Sequence, residues 1–187
     1  MKKILMLVGG IVLSWNAAAL ELAGVKLADT AQLGKVSLQL NGAGIRSKFF
    51  FKIYVSALYL PQKQTSAEAV IESGSEYRME LHILRELSGE KLFNAFNSAI
   101  EANHSLDEIK SLDAQSKQMA HIFEEVKVVK PGDVITLDYL PDSGVQISVN
   151  NKIRGLISGG EFNRALLKVW LGSKPAQQDL KKGLLGG

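Results

Sequence analysis

Arg46 is the residue whose surroundings best fit a binding role. It follows Gly42-Ala-Gly-Ile, where small residues let the backbone approach a ligand closely, and it precedes a run rich in aromatic side chains. A guanidinium can hold a carboxylate through two parallel hydrogen bonds. The same pattern also fits a surface arginine beside a turn, and Tyr54 and Tyr59 fit packing as well as ligand contact. The residues alone leave both interpretations open.

Other side chains that could carry chemistry lack the necessary spacing. The three histidines, His82, His104 and His121, form no HxH or HxxxH pair, so we predict no metal site from them. Glu124 and Glu125 are neighbours on a predicted helix, where they point about 100° apart and do not share a site. The chain has no cysteine, which excludes thiol catalysis and cysteine-based metal sites.

The glycines and serines contain no nucleotide or nucleophile motif. Gly155, Gly159 and Gly160 match neither GxGxxG nor a P-loop, and no serine lies in GxSxG. We therefore predict no cofactor and no metal ion.

Residues 1–19 have the pattern of a secretion signal. Lys2 and Lys3 precede an apolar run, Ile4–Leu13, and the small residues Ala17–Ala19 follow it. A helix that spans a bilayer needs about 20 apolar residues, and this run is shorter. We predict cleavage before Leu20 or one residue earlier, a bacterial periplasmic location, and no membrane insertion of the mature chain.

The charge balance predicts no nucleic-acid partner. The chain has 22 Lys+Arg and 19 Asp+Glu, and removing the two lysines of the signal leaves it nearly neutral, without a basic block. Without disulfides, the mature chain must be stabilised by its hydrophobic core, and its length is sufficient for that.

The stretch Asn41–Leu60 is predicted to be a turn at Asn41-Gly42 followed by one long strand that stops at Pro61. Its residues are mostly Phe, Ile, Val and Tyr, which favour strands. Alternation gives one core face and one mixed face, apolar at one end and cationic at the other. The core face holds Ile45, Ser47, Phe49, Phe51, Ile53, Val55, Ala57 and Tyr59, and the mixed face holds Arg46, Lys48, Phe50, Lys52, Tyr54, Ser56, Leu58 and Leu60.

The remaining patterns predict an α+β domain over residues 20–187, with an antiparallel sheet packed on one face by helices. Alternation predicts strands, and capping residues with helical periodicity predict helices. The predicted strands cover 24–27, 36–40, 77–84, 134–140, 145–149 and 152–157. The predicted helices cover 65–74, about 89–100, 106–126, 162–172 and 175–180.

Two motifs resemble the chalcone isomerase-like family, most closely its bacterial secreted members. The first is NGAGIR at Asn41–Arg46, followed by KIYVSALYL at Lys52–Leu60. The second is ISGGEFNRALLKVWLG at Ile157–Gly172, followed by Pro175 and by Leu184-Leu-Gly. The resemblance implies an open-faced, β-sandwich-like α+β fold with a ligand cleft between the large sheet and the helices.

Departures from the family's plant enzymes favour a non-catalytic role for this chain. The plant enzymes of the family use an Arg, a Thr, a Tyr, an Asn and a further Thr or Ser. These positions correspond to Arg46, Tyr54, Ser88, Ala95 and Lys152, so one of five matches. The alternatives are an isomerase or intramolecular lyase on another substrate, with Arg46 stabilising an oxyanion, or a structural, partner-binding protein with a collapsed cleft.

Non-catalytic relatives bind fatty acids, and there an Arg and a Tyr hold the carboxylate. The resemblance assigns this pair to Arg46 and Tyr54, and the ligand to a fatty acid or similar apolar carboxylate. Eight residues of straight strand span about 26 Å, so the two can meet one carboxylate only if the chain reverses near Arg46. The expected apolar lining is Phe50, Leu58, Phe93 and Phe96.

Overall fold

The computed structural model describes residues 20–187, so the predicted signal at residues 1–19 lies outside the described part. This part contains eleven strands and six helices. The strands are β1 Glu21–Leu22, β2 Val25–Lys26, β3 Thr30–Leu33, β4 Val36–Lys48, β5 Phe51–Leu60, β6 Tyr77–Ile83, β7 Leu87–Ser88, β8 Val128–Val129, β9 Val134–Leu140, β10 Gly144–Val149 and β11 Lys152–Ile157. The helices are α1 Ala67–Glu72, α2 Gly89–Asn103, α3 Leu106–Ser111, α4 Asp113–Val126, α5 Gly160–Leu171 and α6 Gln178–Leu184.

Seven of these strands form one antiparallel sheet in the order β11-β10-β9-β6-β5-β4-β3. Short loops connect β9, β10 and β11, as the turn residues between them predict. Two further two-stranded ladders, β1-β2 and β7-β8, lie outside this sheet. The predicted α+β class, an antiparallel sheet with packed helices, is confirmed.

The sheet buries apolar side chains on both faces. The larger core lies between the sheet and the helices, and it contains Met79 of β6, Phe96 of α2 and Trp170 of α5. The rings of Phe96 and Trp170 meet edge to face at 5.5 Å between centroids. A smaller core on the opposite face contains Leu38 of β4 and Tyr59 of β5. Both faces of β5 are therefore core faces, whereas the sequence predicted only one.

Residues 41–60 do not form the single strand that their composition predicts. β4 ends at Lys48, Phe49 and Phe50 make a turn, and β5 begins at Phe51. The turn contains neither Gly nor Pro, and Phe49 reaches it with a left-handed φ of +55°, which is uncommon for a bulky residue. The reversal places Arg46 directly opposite Tyr54 in the β4-β5 register.

The predicted turn at Asn41-Gly42 is also wrong, because both residues lie within β4. The glycines there allow a close approach instead, since a Cβ on Gly42 would lie 2.1 Å from the carbonyl oxygen of Gly183 in α6. The buried Asn41 amide nitrogen donates to the carbonyl of Leu184 at 2.7 Å. β4 and α6 therefore pack backbone against backbone.

Three helix boundaries differ from the prediction. The long helix predicted over residues 106–126 is two helices, α3 and α4, which meet at Leu112. α6 begins at Gln178 rather than at Pro175 and continues through Gly183. α1 covers Ala67–Glu72, with Ser66 as its N-cap, rather than the predicted 65–74. Within residues 20–187, no helix is both long enough and apolar enough to cross a bilayer.

We expect Gly42→Ala to destabilise the protein by about 3 kcal/mol, because the new methyl meets backbone atoms of α6 that cannot rotate away. Urea unfolding followed by tryptophan fluorescence measures the loss. Gly160→Ala is the matched control, since the nearest atom to a Cβ there is 3.8 Å away, and it should change stability by less than about 0.5 kcal/mol. Equal effects of the two substitutions would contradict backbone packing at Gly42.

Candidate functional site

A groove of about 880 Å³ lies between α2, the β4–β5 hairpin and the segment 174–176 that follows α5. Most of its wall is apolar, and its cationic side chains come from all three of these elements. The apolar lining is Ile53, Leu87, Leu92, Ala95, Phe96, Ala99, Ala102, Val169, Pro175 and Ala176, and the polar lining is Arg46, Lys48, Tyr54, Lys91, Asn94, Ser98 and Lys174.

Tyr54 lines this groove and carries a buried hydroxyl. Its side chain is 8% exposed, and its oxygen accepts a hydrogen bond from the Trp170 indole nitrogen at 3.1 Å. Burial raises the pKa of Tyr54, against smaller lowering effects from the Trp170 bond and the Arg46 charge, so the phenol keeps its proton. Because that proton has no acceptor within residues 20–187, Tyr54 can donate it to a ligand.

Arg46 is positioned by the residue that precedes α6. Its Nη1 donates to Gln177 Oε1 at 3.2 Å and to the carbonyl of Ser47. The same Gln177 oxygen accepts the Ser47 backbone N–H at 2.9 Å. No carboxylate of residues 20–187 forms an ion pair with Arg46, so its charge remains available to an anion.

The groove is cationic as a whole. Lys48, Lys91 and Lys174 join Arg46 in the lining, which includes no acidic side chain from residues 20–187. None of these four cations belongs to an ion pair in that part of the chain. A cationic groove with apolar walls suits a ligand that has an anionic end and an apolar body.

Of the six residues predicted for the site, three line the groove and three do not. Phe50 lies in the hairpin turn, 99% exposed, because the chain reverses there. Leu58 is fully buried in the larger core, and Phe93 packs against that core. None of these three lines the groove, which corrects their expected place in it. The three that do line it are Arg46, Tyr54 and Phe96.

Four further residues shape the site and were not predicted from the sequence: Lys91, Lys174, Trp170 and Gln177. Only Lys91 had a local signal in the sequence. It lies at helical spacing from the small residues Ala95, Ala99 and Ala102, so all four share one face of α2, and the small side chains leave room beside the helix. Gln177 and Lys174 carry no such signal, since their place depends on how the chain after α5 packs against β4.

The histidines contribute to local structure rather than to the groove. His82 Nε2 lies 2.9 Å from Glu80 and His104 Nδ1 lies 2.7 Å from the carbonyl oxygen of Ile100. Within residues 20–187, no three His, Asp or Glu side chains cluster closely enough to hold a metal ion.

One protein family matches this sequence over nearly all of the residues that the structure describes. Residues 19–186 match the family described as chalcone isomerase-like. The chain belongs to this family. Among solved structures it is similar to a fatty-acid binding protein from Arabidopsis thaliana, with a TM-score of 0.71 and 14% identity over 87% of this chain and 92% of that one. At this identity the likeness is one of fold. No curated protein matches the chain.

We expect Tyr54→Phe to destabilise this chalcone isomerase-like protein by about 1 kcal/mol or more, because the Trp170 indole N–H loses its acceptor. Urea unfolding gives the value. Tyr139→Phe is the matched control, since its hydroxyl forms no hydrogen bond within residues 20–187 and its side chain is similarly buried. If the two variants were equally stable, the Tyr54–Trp170 hydrogen bond would not contribute to the stability of the fold.

Proposed function

We propose that the groove binds a fatty acid or a similar apolar carboxylate without transforming it. Arg46 and Tyr54 hold the carboxylate, and the apolar wall takes the hydrocarbon chain. The observation that carries this proposal is the β4-β5 register, in which Arg46 and Tyr54 are directly opposite. Side chains so paired have Cβ atoms about 5 Å apart, a separation that one carboxylate can bridge.

The polar groups of the groove support an anion in particular. The guanidinium, the lysine ammonium groups and the protonated Tyr54 phenol all donate hydrogen bonds, and a carboxylate only accepts them. Hydrogen bonds between charged groups are about twice as strong as neutral ones. The Trp170 bond supports the arrangement further, because it occupies the Tyr54 oxygen as an acceptor and leaves the O–H to donate.

The apolar walls support a hydrocarbon chain. Leu92 and Phe96 of α2 and Val169 of α5 form the buried floor of the wall, and the small residues Ala95 and Ala99 line the groove beside them. The groove volume of about 880 Å³ falls within the range typical of small-molecule sites. The likeness of fold to a fatty-acid binding protein is consistent with this ligand class.

Affinity should depend strongly on Arg46. We expect Arg46→Ala to weaken laurate binding by about 10- to 100-fold, because a charge-assisted bidentate contact contributes about 1.5–3 kcal/mol. Titration calorimetry on delipidated protein measures this loss. Arg46→Lys keeps the charge but not the planar fork, so we expect an intermediate affinity.

Lys35→Ala is the matched control, because Lys35 is an exposed cation in the β3–β4 turn, outside the groove lining. Its laurate affinity should equal that of the wild type. If Arg46→Ala bound laurate as tightly as Lys35→Ala does, Arg46 would not be the carboxylate anchor.

Affinity should also rise with chain length from decanoate to myristate, by up to about fourfold for each buried methylene, which corresponds to about 0.8 kcal/mol. The same calorimetry measures the series. A flat series, with affinity independent of length, would contradict burial of the hydrocarbon chain in the groove.

We further propose that residues 1–19 are a secretion signal and that the mature chain acts in the periplasm. Mass spectrometry of protein recovered from the periplasm of an expressing bacterium should find a chain that begins at Leu20 or one residue earlier. Recovery of the intact chain from the cytoplasm alone would contradict this proposal.

A further inference from the structure

The turn of the β4–β5 hairpin exposes three consecutive aromatic rings. Phe49 is 86% exposed, Phe50 is 99% exposed and Phe51 is 52% exposed. Contiguous exposed apolar surface usually marks an interaction site. Phe49 also holds a left-handed backbone conformation that Asn or Gly adopts at lower cost. The chain thus places a bulky ring at a point where local backbone energetics disfavour it, and such strain is typical of functional positions.

Basic side chains surround these rings. Lys48 and Lys52 are exposed on either side of the three phenylalanines, and the Arg85 guanidinium carbon lies 4.0 Å from the centre of the Phe51 ring. From Thr30 to Ala67 the chain has no acidic residue, and its five basic ones are Lys35, Arg46, Lys48, Lys52 and Lys63. We call residues Lys48–Lys52 together with Arg85 the hairpin tip.

We propose that the hairpin tip docks on an anionic lipid bilayer. The phenylalanine rings enter the boundary between head groups and acyl chains, where exposed aromatic side chains partition favourably. Lys48, Lys52 and Arg85 contact the lipid phosphates, and each such cation adds to the attraction of a negatively charged surface.

The size and charge of the tip favour a bilayer over a folded protein partner. A specific protein interface buries about 800 Å² on each partner, whereas three rings on a two-residue turn form a narrow projection. A bilayer requires no matching surface and receives such a projection by insertion. The absence of acidic residues from Thr30 to Ala67 also removes repulsion from an anionic surface along β3, β4 and β5.

Docking at this point would bring the groove close to the bilayer. Arg46, Lys48, Ile53 and Tyr54 line the groove and belong to the same hairpin as the exposed rings. A fatty acid leaving the bilayer would therefore reach the groove along a short path lined by cations. This extends the proposed function, but the docking itself does not depend on what the groove binds.

The test is co-sedimentation with large vesicles of phosphatidylcholine, with and without phosphatidylglycerol. Wild type should bind the anionic vesicles more tightly, and added salt should weaken that binding. The double variant Phe49→Asn, Phe50→Ser should bind at least about tenfold more weakly, because two large apolar side chains are removed. Lys52→Gln should weaken binding by about fivefold.

The controls separate this proposal from simpler explanations. Ile153→Ser removes a large side chain that is 65% exposed on β11, at the opposite edge of the sheet, and it should leave vesicle binding unchanged. All chains are expressed identically, so residues 1–19 contribute equally to each. Urea unfolding should show that the double variant is at least as stable as the wild type, since Asn tolerates the left-handed conformation.

Three outcomes would overturn the proposal: no preference of wild type for anionic vesicles, equal binding by the double variant, or a wild-type dimer that the double variant abolishes in sedimentation velocity. The last outcome would assign the rings to self-association. Because the double variant retains Arg46 and Tyr54, its laurate affinity should match that of the wild type. A wild type that binds laurate but not anionic vesicles would contradict this proposal alone, and a wild type that binds the vesicles but not laurate would contradict the groove proposal alone.

Discussion

The backbone contact between β4 and α6 determines where Arg46 lies. Gly42 has no side chain, and the carbonyl oxygen of Gly183 occupies the space where its Cβ would be. α6 therefore lies directly against β4, and Gln177 at its N-terminus reaches Arg46 and Ser47. A side chain larger than hydrogen at position 42 would separate the two elements and carry Gln177 away from the guanidinium. Gly42 thus influences the position of Arg46 indirectly, by letting α6 approach β4.

Tyr54 is fixed by a different element, and the hairpin register brings it to Arg46. The Trp170 indole on α5 holds the Tyr54 hydroxyl from the core side, while Gln177, at the start of α6, holds Arg46. The antiparallel register joins the two directly. A slip of one residue in that register would move one of the two side chains to the opposite face of the sheet. The relative position of Arg46 and Tyr54 therefore depends on three contacts between elements: β4 with α6, β5 with α5, and β4 with β5.

Local sequence signals predicted the elements but not this convergence. Alternation correctly placed β6, β9, β10 and β11, and capping residues with helical periodicity correctly predicted the start of α2 at residue 89, because each depends on neighbouring residues. Asn41-Gly42 has the composition of a turn but lies in a strand, since its glycine provides room for α6. The real turn at Phe49-Phe50 has no turn residues, so composition predicted a continuous strand. The family resemblance paired Arg46 with Tyr54 before any geometry supported their meeting.

The features of the β4–β5 hairpin that do not favour stability lie within a few residues of one another. Arg46 is half-buried without a carboxylate partner among residues 20–187, and Phe49 combines an exposed ring with a left-handed backbone. A sequence selected for stability alone would place Asn or Gly at position 49 and an uncharged side chain at position 46. Departures from such local rules are typical of functional sites. Their proximity on one hairpin links the two proposals, because a hairpin tip docked on a lipid surface would hold the groove beside that surface.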